Sequence, residues 1–306
     1  MELKLDSICK SFGKKEVLKN INFTVKAGEA LGYLGRNGAG KTTTLRILSN
    51  IFHADSGTVF LNSKPIDHDR VRLGYLPEER GLYPKSKVGE QMMYIARLRG
   101  MEASDAHRSA MALLEELEAT EYWGRKLETL SKGNQQKIQL AISVIHDPDI
   151  VILDEPFSGL DPVNATMLKR LIVKQVERNK IVIFSSHQMP YVEEFCEHIC
   201  IINQGEIVLD GKIDDIKKTY PRNKIAVWPE GDPVDYLKLL TLQGAWPGLV
   251  QAGEIKGNTV EITLKNAAEK QALFQMLAAV SPGFDRVQVV EPTLGDIFVE
   301  KAGDQI

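Results

Sequence analysis

The stretch A-L-G-Y-L-G-R-N-G-A-G-K-T-T, residues 30–43, decides the fold of this chain. Ala30 to Leu34 are a short apolar run without polar alternation, the pattern of a strand buried on both faces. Gly35, Arg36, Asn37, Gly38, Ala39, Gly40, Lys41 and Thr42 follow at the spacing G-x-x-x-x-G-K-T, and Thr43 to Ser49 read as a helix. Glycines let a backbone curl so that several N–H groups converge, and the following helix adds the positive end of its dipole. Together these make a cradle for phosphate oxygens. Lys41 is expected to supply a full positive charge to the β- and γ-phosphates of a nucleotide. Thr42 is expected to offer a hydroxyl to Mg²⁺, and Thr43 to reach the α-phosphate.

Further along, Ile150 to Leu153 is a second apolar strand, delivering Asp154 and Glu155 to its C-terminal end, where open α/β sheets bind ligands. Asp154 is expected to hold Mg²⁺, directly or through water, and Glu155 to polarise an attacking water as a general base. Leu73 to Leu76 and Ile181 to Phe184 read as two more buried strands. Residues 105–118 and 165–177 carry apolar positions at helical spacing. Strands separated by helices imply a mostly parallel sheet covered by helices.

The N-terminus departs from this grammar. Leu3 to Ile8, Val17 to Leu18 and Ile21 to Val25 read as short antiparallel strands, with a turn at Gly13, Lys14 and Lys15. Cys200 to Ile202 and Ile207 to Leu209 flank a good hairpin turn. Residues 217–224, K-K-T-Y-P-R-N-K, form a candidate linker. Beyond it come a strand at 224–228, a helix at 233–242, a hairpin around 256–258, a strand at 259–264, a helix at 266–279 and a strand at 286–290. That β-α-β-β-α-β order is a ferredoxin-like candidate of α+β type.

The chain has 306 residues, enough for about two domains. Lys plus Arg number 38 and Asp plus Glu 41, a net charge of −3, which argues against broad, charge-driven nucleic-acid binding. Three cysteines make no disulfide framework and fit a reducing compartment; Cys196 and Cys200 read as buried apolar residues. The N-terminus has no signal-peptide core, and the apolar windows at 239–253 and 271–284 are too short to span a bilayer. A cytoplasmic protein with no membrane span of its own is expected.

Several motifs then occur in a fixed order: the 35–42 loop, L-S-K-G-N-Q-Q at 130–136, the Asp154–Glu155 strand end, S-G-L-D at 158–161, and His187 in S-S-H. This set resembles the ATP-binding cassette (ABC) ATPase family over residues 1 to about 215. The resemblance implies an ABC ATPase core at 1–216 with an antiparallel β subdomain and a helical subdomain at about 85–145, followed by an accessory domain at 224–306. It implies that Ser131 and Gly133 cover the γ-phosphate bound by an opposite subunit in a nucleotide-sandwich homodimer, and that Asp161 communicates across that dimer. It further implies that His187 contacts the γ-phosphate and orders the attacking water, and that Phe12 stacks on adenine. Three positions depart from the family pattern. Lys132 stands where a Gly is usual and Asn134 where a Gln is usual. Glu78 replaces the Gln that bridges Mg²⁺ and the transmembrane partner; its carboxylate keeps the reach to the metal with a different hydrogen-bond pattern.

L-P-E-E-R-G-L-Y-P at 76–84 and the 130–137 signature resemble bacterial sodium- and drug-exporter ATPase subunits. E-P-T-L-G-D-I-F at 291–298 resembles the end of the accessory domain these carry. The resemblance implies an ATPase on the cytoplasmic face of the plasma membrane, powering a separate permease that docks on the helical stretch between Glu78 and Leu130. Two other readings use the same phosphate loop. A soluble cassette ATPase of translation or repair would carry a second cassette or a long coiled-coil insertion. A nucleotide switch would carry N-K-x-D, and the nearest string, Asn223 to Ala226, lacks the carboxylate.

Overall fold

A buried, unalternating strand needs cover on both faces, and the computed structural model has that layering. The structure describes residues 1–79, 81–243, 246–281 and 283–303. The chain runs β1 (Glu2–Phe12), β2 (Lys15–Lys26), β3 (Ala30–Leu34), α1 (Lys41–Leu48), β4 (Ser56–Leu61), β5 (Lys64–Pro65) and β6 (Leu73–Leu76). The helices α2 (Val88–Leu98), α3 (Ala103–Glu116) and α4 (Lys132–Val144) follow. Next come β7 (Ile150–Asp154), α5 (Pro162–Glu177), β8 (Ile181–Ser186), α6 (Met189–Phe195), β9 (His198–Asn203) and β10 (Glu206–Lys212). The remainder is α7 (Ile213–Thr219), β11 (Lys224–Pro229), α8 (Pro233–Thr241), α9 (Trp246–Leu249), β12 (Val250–Lys256), β13 (Thr259–Leu264), α10 (Lys270–Ala278), β14 (Phe284–Val290) and α11 (Leu294–Ala302).

Two compact units result. Among the described residues, the first comprises 1–213 and 298–303, the second the described part of 214–297. The sequence boundary is drawn at 216 and 224; by contact, residues 298–303 cluster with the first unit. Ala302 and Gly303 there line a cavity of about 380 Å³ with Arg36 to Ala39, Asn203 and Gln204.

The first unit holds a six-stranded sheet ordered β10-β9-β3-β8-β7-β6. All neighbouring pairs except β9 with β10 are parallel. Every residue of β3, β7 and β8 is buried, so each large aliphatic side chain contributes roughly 1.5–3 kcal/mol. Register positions the site. Leu34 pairs with Ser186, and Asp154 with Ser185, so the C-terminal ends of β3, β7 and β8 finish side by side.

A second sheet, β2-β1-β4-β5, is antiparallel. Here the sequence reading needs correction, because Val17–Leu18 and Ile21–Val25 form one continuous strand. Asn20 in β2 and Ser7 in β1, on either side of the Ile8–Ile21 pair, take positive φ (56° and 55°) and absorb the interruption where the β1–β2 register shifts. The candidate linker is also shorter than expected, since α7 covers Lys217 to Thr219. Its acidic first turn (Asp214, Asp215) and basic last turn (Lys217, Lys218) suit the helix dipole.

In the second unit the strands order β12-β13-β11-β14, all antiparallel, with α8 and α10 as the intervening helices. This is the ferredoxin-like arrangement read from the sequence. Tyr236, Leu240, Leu273 and Leu277 of the helices pack with Ile225, Val227, Val260 and Ile262 of the sheet.

His146, just beyond α4, is buried, with Nε2 3.2 Å from the Leu73 carbonyl and Nδ1 without a partner among the described residues. Burial pushes its pKa down to about 4. The unfolded chain therefore binds this proton more readily than the folded one. Stability from the neutral ring is fully present above about pH 6.5 and is lost as pH falls toward 4. At pH 5 the loss is at most about 2 kcal/mol. We expect the urea midpoint to fall between pH 7 and pH 5, and to fall measurably less in His146→Leu. Equal falls in both chains would refute the assignment.

Candidate active site

Three loops meet at the aligned strand ends. The first is 35–40, leaving β3. Gly40, at φ +116°, caps α1, and a Cβ there would come within 2.6 Å of Leu18 Cδ2. A side chain is thus excluded both by conformation and by space. Lys41 folds back over this loop. Its ammonium donates to the carbonyls of Gly35 (2.7 Å) and Arg36 (3.4 Å) and lies 3.7 Å from Glu155 Oε1, although the side chain is only 7% exposed. The charge is therefore pre-positioned by the backbone and by a buried carboxylate. The first turn of α1 contains no acidic residue to neutralise its dipole.

The second loop leaves β7. Asp154 is buried, and Ser185 Oγ donates to its Oδ1 at 2.5 Å. Oδ2 is buried without a partner among the described residues. Burial pushes the Asp154 carboxyl above its usual range, opposed by hydrogen bonds from the Ser185 and Thr42 hydroxyls. A buried anionic oxygen with a free lone pair beside a threonine hydroxyl fits a hard cation such as Mg²⁺. Glu155 follows at φ 50°, a left-handed conformation that a non-glycine residue adopts at a cost of about 1 kcal/mol or more. Its N–H donates to Ser185 Oγ at 3.0 Å, so one hydroxyl ties both acidic residues to β8.

The third loop leaves β8 and carries His187. Its Nδ1 lies 2.9 Å from Glu155 Oε2. The carboxylate only accepts, so Nδ1–H is the donor and Nε2 is left for a ligand.

A cavity of about 360 Å³ lies among these loops. Arg36, Asn37, Gly38, Gly40, Lys41, Thr42 and Thr43 bound it on one side, Glu155, His187 and Glu78 elsewhere, and Lys15 and Val17 of the β1–β2 hairpin complete it. Gly35 and Ala39 are buried behind the loop. Glu78 thus shares a cavity with Lys41 and Glu155; Arg80, in the same 76–84 motif, lies outside the described residues.

Asp154, buried at the end of β7, is not among the residues that line this cavity, and neither are Phe12, Ser131, Gly133 and Asp161. Phe12 is exposed, its ring edge-on to Phe52 at 5.5 Å. Ser131 caps α4, its Oγ accepting from Asn134 N at 3.4 Å. Gly133 is buried, and a Cβ there would sit 2.7 Å from Asn164 Nδ2. Asp161 caps α5, accepting from Asn164 N at 2.9 Å and from its amide side chain at 2.5 Å. The backbone hydrogen bond from Asn164 leads in lowering the Asp161 pKa.

Some participants escaped the sequence reading. Lys15 and Val17 reach the cavity through the hairpin fold and gave no local signal. Ser185 did give one, a hydroxyl ending an apolar strand. Gln136 and Gln139, buried on α4, donate to Pro156 O (3.3 Å) and to Pro77 O and Glu79 O (3.4 and 3.2 Å). They tie the Ser131 helix to the loops of Glu155 and Glu78.

Comparison with known proteins agrees with this geometry. Residues 18–158 match the family "ABC transporter", and residues 211–302 match "ATP-binding protein DrrA1-3-like, C-terminal domain". The chain is 39% identical over 303 residues to the uncharacterised ABC transporter ATP-binding protein YhaQ of Bacillus subtilis, covering 98% of each. It is 34% identical over 218 residues to the linearmycin resistance ATP-binding protein LnrL of Bacillus subtilis, covering 70% of each. It is 36% identical over 206 residues to the Nod factor export ATP-binding protein I of Burkholderia lata, covering 66% of this chain and 68% of that one. Among solved structures, an ATP-binding subunit of an ABC transporter aligns at TM-score 0.66 and 26% identity, over 72% of this chain and 93% of that one. In the described residues no helix is long and apolar enough to cross a membrane. The chain belongs to the ABC transporter ATP-binding proteins, an ATPase cassette joined to a DrrA1-3-like C-terminal domain.

Proposed function

We propose that this chain is the ATP-hydrolysing subunit of an exporter, working as a nucleotide-sandwich homodimer on a separate membrane permease. One observation carries the reading. Lys41, Thr42, Glu155, His187 and Glu78 share one cavity, whereas Ser131, Gly133 and Asp161 lie off it. A single chain then holds half of each site, and a second copy supplies the Ser131 helix end.

In this reading the loop N–H groups and Lys41 bind the phosphates of ATP. Thr42, Asp154 and Glu78 would hold Mg²⁺, which when bound would supply charge neutralisation for the phosphates. Glu155 accepts a proton from the water that attacks the γ-phosphorus in line, as the bond to the β–γ bridging oxygen breaks. His187, oriented through Nδ1 by Glu155, presents Nε2 to the γ-phosphate. Charge stabilisation and positioning supply most of the acceleration. The Phe12 ring, exposed at the end of β1, is available to adenine.

Export is supported by the names of two relatives, linearmycin resistance and Nod factor export. Docking on a permease is supported by the helical subdomain. Met92 is buried, but Tyr83, Tyr94 and Leu98 are exposed, and Tyr83, Gln91 and Tyr94 line an open cavity of about 320 Å³. Purification of the tagged full chain from detergent-solubilised membranes is the test. An integral membrane protein is expected to co-purify, and vesicles carrying both are expected to move a drug or ion only with hydrolysable ATP. An active ATPase recovered without a membrane protein would favour a non-transport role.

A further inference from the structure

A cluster of aromatic side chains lies behind the two loops that carry Glu155 and His187. Phe157, two residues beyond Glu155, is 2% exposed. Its ring meets Phe184 edge-on at 6.1 Å, Phe195 at 5.2 Å, and Tyr191 at 4.6 Å, the last in a stack tilted by only 20°. Phe184 ends the apolar part of β8, three residues before His187. Tyr191 and Phe195 lie on α6, four and eight residues after it. One buried ring from the Glu155 loop is therefore gripped from both sides of His187 along the chain.

The imidazole needs such support. Its side chain is 54% exposed, so burial does not fix it, and among the described residues its imidazole is held by Glu155. The helix that follows has seven residues, too few to hold its shape without tertiary contacts. Its far end is tied down separately, by the Lys169–Glu194 ion pair and by Lys169 Nζ, 5.3 Å over the Phe195 ring. Its near end, next to His187, has the Tyr191 stack.

We infer that Tyr191 is a positioning residue for hydrolysis: its ring, stacked on Phe157, holds the 186–188 loop so that His187 meets Glu155. The inference rests on the reading of Glu155 and His187 as the hydrolytic pair. The contact is made by the ring face, so Tyr191→Phe preserves it. Tyr191→Leu loosens the histidine and leaves the phosphate loop untouched.

The test is steady-state ATP hydrolysis by the full chain, together with the ring-nitrogen NMR signal of His187 in histidine-labelled protein, identified by its loss in His187→Gln. Tyr191→Leu is expected to lower kcat about tenfold with KM for ATP within about twofold, and to shift the His187 signal. Tyr191→Phe is expected to match the parent in both. Unchanged kcat, an unmoved His187 signal, a matching loss of nucleotide affinity, or a phenylalanine variant as damaged as the leucine one would each overturn the inference. Should the leucine variant not fold, Tyr191→Met carries the same expectations. Glu155→Gln separates the two levels. If it turns over ATP normally, the hydrolytic reading itself fails. If it is inactive while Tyr191→Leu is fully active, only the role of Tyr191 fails.

Discussion

Lys41→Ala is expected to weaken ATP binding by at least about a hundredfold and to reduce hydrolysis to background. The ammonium is nearly buried, yet it is held by two loop carbonyls and faces Glu155 at 3.7 Å. Removing it deletes the positive charge that the Gly35 and Arg36 carbonyls hold in the cavity, and it leaves the Glu155 carboxylate buried without this counter-ion. Breaking a buried pair from one side costs about 3–5 kcal/mol, so thermal stability is expected to fall alongside affinity. Fluorescent-nucleotide titration and thermal unfolding read the two effects. Parental affinity and turnover in the alanine variant would remove Lys41 from the site.

The second large effect is a separation of binding from turnover. Glu155→Gln keeps the shape of the side chain and its hydrogen-bond reach to His187 but cannot take a proton from water. Loss of a positioned general base costs about 10²–10⁴-fold in rate. Nucleotide affinity is expected to persist, since Lys41 and the loop N–H groups are intact. With hydrolysis blocked, ATP and Mg²⁺ are expected to accumulate a dimer in gel filtration, and nucleotide-free protein to run as a monomer. A variant that stays monomeric with bound ATP would rule out the sandwich for the isolated chain and make the permease the scaffold for pairing. The Tyr191 test depends on the same variant as its control, so the two experiments belong together.

Much of the site was legible in the sequence because each piece is local. A glycine-rich loop between an apolar strand and a helix has few uses other than wrapping phosphate, and acidic residues at the end of a buried strand emerge at the ligand-binding edge of a parallel sheet. The β3, β7 and β8 strands could be placed within a residue or two, since a run that is apolar on both faces has no other stable home. The N-terminal strand was harder. A break at Asn20 reads as an end when only propensity is considered, whereas pairing with β1 carries the strand through as a bulge. The C-terminal segment shows the same limit: residues 298–303 follow the accessory domain in sequence and cluster by contact with the first compact unit, which local sequence does not reveal.

What the sequence determined alone was chemistry by type: a phosphate cradle, a cation-binding carboxylate, a base, a histidine and a tail of β-α-β-β-α-β grammar. What only the tertiary structure decided was company. Sheet register sets Asp154 opposite Ser185, and the left-handed turn at Glu155 brings its carboxylate between Lys41 and His187. The hairpin brings Lys15 and Val17 to the cavity, and Ser131, Gly133 and Asp161 are kept off it. The physical reason is range. Local sequence sets backbone preference and side-chain type over a few residues. The distances that make a site, 3.7 Å between positions 41 and 155 and 2.9 Å between 155 and 187, are fixed by strand pairing and buried packing between segments far apart in the chain.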